Sequence, residues 1–389
     1  MRVGIAALVL GYLLSQFYRA FLAVLAPVLE ADLGATAAEL ASASGWWFLA
    51  FAAMQLPIGE GLDRLGPRHT AGGLMLVGAA GAAMFAAATD VWQLKLAMAL
   101  IGVGCAPVLM ASYFIFARSF PPAVFGVLAG VTIGIGAMGN VAASLPLSAA
   151  VQAFGWRATV AGLSGFTALV ALLILALVRD PPSLGGGERG SLLDILRMPA
   201  IWPVLAMMAV CYTPIAGLRG LWVGPYFSDV HGFDALQIGQ VGLWIGLAMV
   251  VGNFAYGPLD RWVGSRKWVI FTGNALTVAC LAGLWAFADA PPVVAASLLV
   301  ATGLFGASFP MVVAHGRAFI PPHLMGRGVT LLNLFGIAPI GIAQFVTGRI
   351  HAATPADPAT APYQAVFLFF AVTTAIGLIL YLWSRDRTD

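Results

Sequence analysis

Long apolar runs alternate with short polar breaks along almost the whole chain. Six runs lie near 4–29, 42–61, 70–89, 93–117, 123–149 and 157–178. Six more lie near 200–227, 236–257, 268–288, 292–316, 326–349 and 363–383. Each is about long enough to cross the hydrocarbon core of a bilayer as a helix, which takes roughly 20 residues. Between the two sets, residues 179–199 form the one long polar stretch, and its Pro and Gly content reads as a linker. The pattern predicts an all-α membrane protein of twelve transmembrane helices. They fall into two six-helix bundles, 1–178 and 200–389, joined by the linker 179–199. The first run carries a mid-run arginine and no small-residue cleavage site, so it reads as a retained span and not a signal peptide.

Composition makes lipid the solvent. The chain is 61% hydrophobic and 9% charged, with a mean hydropathy of +0.94, against roughly a quarter charged for a soluble domain. Cys105, Cys211 and Cys280 all lie inside apolar runs, which argues against a disulfide framework. The net charge of +3 gives no reason to expect nucleic acid. Neither a nucleotide loop nor a Ser/His/Asp set in register is visible, so an enzyme, a cofactor and direct drive by ATP are not expected.

The basic residues set a topology. With the N-terminus inside, 14 of the 19 Lys and Arg fall on the cytoplasmic side, 3 on the other (Lys95, Arg157 and Arg349), and 2 within spans (Arg19 and Arg219). That asymmetry predicts a bacterial-type inner membrane protein with both termini cytoplasmic. The basic breaks also repeat. GEGLDRLGPRH, 59–69, returns as GPLDRWVGSRK, 257–267, with Asp63 and Asp260 197 positions apart. Arg118 opens RSFPPAVFG and Arg317 opens RAFIPPHLMG, 199 apart, while Arg19 and Arg219 are 200 apart. One near-constant offset at three places implies a parallel internal repeat, the device transporters use.

These breaks resemble the loop between the second and third spans of the major facilitator superfamily. That loop runs roughly Gly-x-x-x-Asp-Arg-x-Gly-x-Arg, filled here by Gly59, Asp63, Arg64, Gly66 and Arg68. The second copy keeps Gly257, Asp260, Arg261, Gly264, Arg266 and Lys267. Gly155, Trp156 and Arg157, opening span six, are also usual in that family. The resemblance covers essentially the whole chain. It implies a secondary transporter working by alternating access, with Asp63, Arg64, Arg68, Asp260, Arg261 and Arg266 as a cytoplasmic latch. From the residues alone, Asp63 is expected to cap a helix start and to pair with a neighbouring arginine, and the basic residues to meet anionic headgroups. Two departures count against a drug/proton antiporter. Met98 stands where span four usually has an arginine, before Gly102 and Gly104. In span five Gly130, Gly134, Gly136 and Gly139 form a ladder that lacks the exporters' Gly-Pro pair, with Pro146 coming later. Import is therefore favoured over export.

Arg19 and Arg219 supply the substrate argument. A charge near mid-bilayer costs at least about 2.5–3.5 kcal/mol unless it meets a partner or a watery cavity. No Asp or Glu lies deep in any run, so the two guanidinium groups are expected to share an anion, carboxylate or phosphate. The alternative is that each is structural, bonded to carbonyls. Span seven, YTPIAGLRGLWVGPYFSDV, resembles that of the organophosphate/phosphate antiporter branch, which also places arginines in spans one and seven; that branch's span-five histidine has no counterpart here. The expected ligand set is Arg19, Arg219, Gln16, Tyr113, Asn140, Tyr212, Trp222, Tyr226 and Asn333. Asn253 and Gln344 are further polar groups within spans, and Trp46 and Trp47 read as interfacial anchors. The partners expected are a small organic anion, membrane lipid, and a coupled proton or counter-anion; a monomer is expected. Rival readings are a copper or other metal importer using Met207, Cys211, Met311 and His315, a neutral vitamin or drug carrier, and a membrane metabolite sensor.

Overall fold

A computed structural model describes residues 2–120, 122–181, 192–321 and 324–387. Most of the expected linker, 182–191, lies outside the described residues, as do the side chains of Asp260 and Arg261. Among the described residues there is helix and no strand. Nine helices there are long and apolar enough to cross a membrane. Two bent pairs, Val3–Tyr18 with Phe21–Leu33 and Leu128–Ala142 with Leu145–Phe154, bring the number to eleven. The remaining span is Ala37–Ala53 followed by Gln55–Arg64, interrupted at Met54. Pro57 accounts for the interruption, because it has no N–H for the Ala53 carbonyl. The same cause breaks span five ahead of Pro146, with a bend of 42°. Span two also starts earlier than its apolar run: Thr36 and Glu39 form a capping box at its first turn.

The chain divides into two compact units, Met1–Gly185 with Asp234–Leu243, and Gly186–Phe233 with Trp244–Asp389. Residues 234–243, placed with the second half by the sequence pattern, group here with the first. Gly239 permits this, since a Cβ there would lie 2.4 Å from Ser148 Oγ.

In the first unit, small residues bring helices into backbone contact. A Cβ on Gly139 would lie 2.0 Å from the Leu13 carbonyl, and one on Gly136 2.3 Å from the Tyr12 ring. Gly130 and Gly134 have open space instead, so only half of the expected ladder packs a helix. Gly102 seats span four on the Trp47 carbonyl, and Gly104 meets Gly78 of span three. At the end away from segment 59–69, Asp32 closes span one. It accepts hydrogen bonds from Trp156 Nε1 at 3.1 Å and from the Arg157 guanidinium, whose Nη2 also donates to the Ala88 carbonyl at 2.9 Å. The second unit has a similar staple. Tyr363 of span twelve donates to the Asp229 carboxylate near the end of span seven, and Tyr226 donates to the Ala288 carbonyl at 2.8 Å.

Candidate substrate and gating sites

In the first unit, Arg19 sits at the break in span one. Helix Arg2–Tyr18 ends one residue before it, Ala20 N–H closes back on the Phe17 carbonyl at 3.0 Å, and the axis then turns by 48°. The half-buried guanidinium lies over two aromatic faces of span two, 4.9 Å from the Phe51 centroid and 5.4 Å from that of Trp47. Those rings stack on each other at 5.2 Å and 19°. A partly exposed cation on such a platform gains on the order of 1 kcal/mol. This corrects the reading of Trp47 as an interfacial anchor: it is 1% exposed and supports Arg19, whereas Trp46 is 46% exposed. Three buried polar atoms here have no hydrogen-bond partner among the described residues, Arg19 Nε, Trp47 Nε1 and Gln16 Oε1. Gln16 uses its amide N–H on Tyr12. Tyr113 is half-buried and Asn140 buried.

In the second unit, Arg219 is 6% exposed and lies in a π-helical turn, Leu218–Trp222. The sequence explains the turn. Pro214 and Pro225 bracket it, and each leaves the carbonyl four residues earlier without its helical donor. Side chains of span eleven support the irregular stretch: Gln344 Nε2 donates to the Gly217 carbonyl at 3.0 Å, and Trp222 Nε1 donates to both Gln344 Oε1 and Thr347 Oγ1 at 3.1 Å. Single π-turns inside helices occur often at functional sites. Arg219 also needs Gly246 of span eight, where a Cβ would come within 3.3 Å of Nη2. Of its expected companions, Trp222 and Tyr226 are buried with their polar atoms on protein partners, and the Tyr212 ring packs on Phe309 at 5.5 Å. They shape the Arg219 turn from within the helix packing. Asn333 is half-buried in span eleven.

Segment 59–69 is mostly helix and not a loop. One helix runs to Arg64, Leu65 interrupts, and the next starts at Gly66, whose φ of +80° makes the turn. Asp63 does not cap it. Asp63 pairs with Arg118 at the end of span four, at 3.2 Å, while Arg64 pairs with Glu60 at 2.7 Å in the open. The cap comes from Asp180, beyond span six, whose Oδ1 accepts from the Arg68 amide at 2.8 Å. Gly66 leaves room for that carboxylate, since a Cβ would lie 2.5 Å from its carbon. The second copy repeats the arrangement. Gly264 has φ +68°, and Asp386, beyond span twelve, accepts from the Lys267 amide at 3.0 Å and from Ser265 Oγ. Lys267 Nζ donates to the Leu382 and Ser384 carbonyls, and Arg266 to the Ala314 carbonyl at 3.4 Å. Asp180 and Asp386 were absent from the expected gating set. Their signal was an Arg-Asp pair closing each half, 179–180 and 385–386.

His315 is fully buried, and both ring nitrogens are engaged: Nε2 faces the Arg385 carbonyl at 3.0 Å, and Nδ1 faces Tyr381 Oη at 2.7 Å. A carbonyl only accepts, so Nε2 carries the proton and Nδ1 accepts from Tyr381. Met207, Cys211 and Met311 pack in the apolar core of the second unit. Neither nitrogen of His315 is left for a metal.

Helices this long and apolar, repeated in two halves with an arginine at each irregular first span, define a polytopic membrane carrier. The family model of the Major Facilitator Superfamily matches residues 8–343 and 223–389, and the chain belongs to that superfamily. It is a multi-pass transporter working by alternating access, not an enzyme. Its fold is similar to that of a bacterial homolog to the human lysosomal transporter Spinster in an inward-facing and occupied conformation. The TM-score there is 0.79 at 17% identity, covering 97% of this chain and 95% of that one. It is also similar to a D-xylose-proton symporter (TM-score 0.80, 13% identity, 98% and 97% covered). A nucleoside transporter gives 0.75 at 13% identity, with 98% and 99% covered.

Proposed function

We propose that the chain moves a small organic anion, a carboxylate or phosphate-bearing metabolite, with Arg19 and Arg219 as its charge partners. One observation carries this reading: the first span of each half is irregular at an arginine, and the two arginines are 200 residues apart in sequence. Broken helices at binding sites are how transporters expose polar groups within the bilayer. Around Arg19, two donors and one acceptor remain to be used, Arg19 Nε, Trp47 Nε1 and Gln16 Oε1. An anion that also carries a hydrogen-bond donor answers all three. Uptake is the direction proposed, supported by the missing exporter pair in span five, and a bacterial-type inner membrane with both termini inside is the setting proposed, supported by the 14-to-3 basic asymmetry.

A thermal-shift screen of the purified protein tests this, run against mono- and dicarboxylates, phosphate esters, neutral vitamins and Cu(I). A specific anion at about 100 times its dissociation constant adds about 2.7 kcal/mol of stability, and Arg19→Gln and Arg219→Gln each remove most of that gain. If a neutral compound stabilises wild type and both variants equally, the anion reading fails while the transporter assignment stands.

A further inference from the structure

We infer that Asp229 and His351 form a proton-binding site in the second unit, at the end away from segment 257–267. The inference deepens the transport reading by giving the carrier a proton to couple, and rests on that reading only for its use.

The two staples make the argument. Arg157 and Tyr363 differ by 206 in number, as do the capping residues Asp180 and Asp386, so Tyr363 occupies in the second half the place of Arg157 in the first. Ala88 and Ala288, whose carbonyls each close a staple, differ by 200. Asp32 and Asp229 differ by 197, the offset of Asp63 and Asp260. In the first half the aspartate has a permanent cation. In the second, the corresponding aspartate has a neutral phenol, Tyr363 Oη.

The nearby group that becomes a cation is an imidazole. His351, in the last turn of helix Met325–Ala353, packs its ring on Tyr363 at 4.9 Å and on Trp222 at 5.1 Å. Its Nε2 is buried without a hydrogen-bond partner among the described residues, and Tyr363, on whose ring it packs, is the residue that holds the Asp229 carboxylate. A helix C-terminus favours an imidazolium. Other titratable groups around the site are few. Span seven contributes His231, whose Nε2 lies 3.4 Å from Tyr226 Oη; that hydroxyl gives its proton to Ala288, so His231 donates to it. The turn before span ten contributes Asp289, span eleven itself the exposed Arg349, and the turn after it the exposed Asp357. Span twelve contributes Tyr363. On protonation, His351 Nε2–H gains the Asp229 carboxylate as acceptor, and Asp229 exchanges its Tyr363 donor for a charge-assisted one. The staple between spans seven and twelve is thereby loosened by acid.

Nitrogen-15 histidine spectra of the full chain in lipid nanodiscs test this without any substrate. The chain has five histidines, and His351→Gln identifies the signal. With pH stepped from about 5 to 8, the spectra are expected to show His351 changing protonation state. Asp229→Asn lowers the midpoint of that change by about half a pH unit or more, and Tyr363→Phe, the milder variant, raises it by freeing the carboxylate. Tyr363→Arg, which copies the first half, removes the step from that range. Hydrogen exchange over 361–367 rises in acid in wild type and not in His351→Gln. The inference is overturned if His351 keeps one protonation state from pH 5 to 8, or if its midpoint ignores both Asp229→Asn and Tyr363→Phe. That result leaves the anion reading untouched, just as a failed ligand screen leaves this titration untouched.

Discussion

At the scale of single residues, the two arginines are held by opposite means. Arg19 has an aromatic platform and is only partly covered, whereas Arg219 is enclosed against a glycine. Gly246 is therefore the sensitive neighbour. Gly246→Ala puts a methyl 3.3 Å from a flexible guanidinium that shifts by a few tenths of an ångström. Gly246→Val leaves no such room, and transport of the ligand identified by the thermal-shift screen falls at least about tenfold, as loss of about 1.4 kcal/mol of binding would require. Equal transport by the two variants would show that Arg219 need not stay where it is. The caps respond to different variables. Asp180→Ala removes the acceptor for the Arg68 amide and costs about 1 kcal/mol, read in thermal unfolding. Asp386 is a pH-dependent case. Burial alone would raise its carboxyl, but Ser265 and the Lys267 amide outweigh that and hold it below the ordinary 3.8. A depressed value means the contact stabilises fully above the ordinary value and is lost as pH falls through the folded one. Hydrogen exchange at the Lys267 amide is then slow at neutral pH and rises only below that value, and Asp386→Asn abolishes the acid step.

At the scale of elements, the bilayer makes most of the fold legible in sequence. A spanning helix needs a long apolar run, so its existence is written locally, and eleven of the twelve expected spans pass on length and composition among the described residues once bent pairs are joined. The span that does not pass is cut at Met54 by Pro57, a residue that was visible. What connects distant helices was not legible. The Trp47–Phe51 platform beneath Arg19 joins positions about thirty residues apart, and nothing in either stretch announces the contact. Likewise a ladder of four glycines looks uniform in sequence, but only the faces of Gly136 and Gly139 meet span one. The difference is testable. Gly139→Ala drives a methyl into the Leu13 carbonyl and sharply lowers the yield of folded protein, read by size-exclusion chromatography. Gly130→Ala and Gly134→Ala, with open space, are neutral or stabilise their helix by up to about 1 kcal/mol. The π-turn lies between these cases. Its bracketing prolines could be read, but the partner that satisfies the Gly217 carbonyl, Gln344, lies 127 residues away.

At the scale of the whole molecule, alternating access asks each half to keep its internal packing through the cycle, so contacts of two kinds should separate in experiment. Staples such as Asp32 with Trp156 and Arg157 hold a half together, and their loss appears in stability. The contact of Asp63 with Arg118 joins the segment between spans two and three to the end of span four, with Asp63 exposed and Arg118 mostly covered. An ion pair with one exposed partner contributes about 1 kcal/mol or less to folding. If its role is to bias the equilibrium between access states, that same energy changes their populations several-fold, because a few kcal/mol spans the whole range of a two-state balance. Asp63→Asn is therefore expected to leave thermal unfolding within about 1 kcal/mol of wild type while changing labelling of a cysteine placed at the exposed Gly59, where a side chain meets nothing, several-fold. The charge reversal Asp63→Arg with Arg118→Asp restores wild-type labelling, since the pair is regenerated with its polarity inverted. A reversal that folds normally and still labels like Asp63→Asn would show that the aspartate acts through something other than Arg118, and the latch would have to be sought among Arg64, Arg68 and the Asp180 cap.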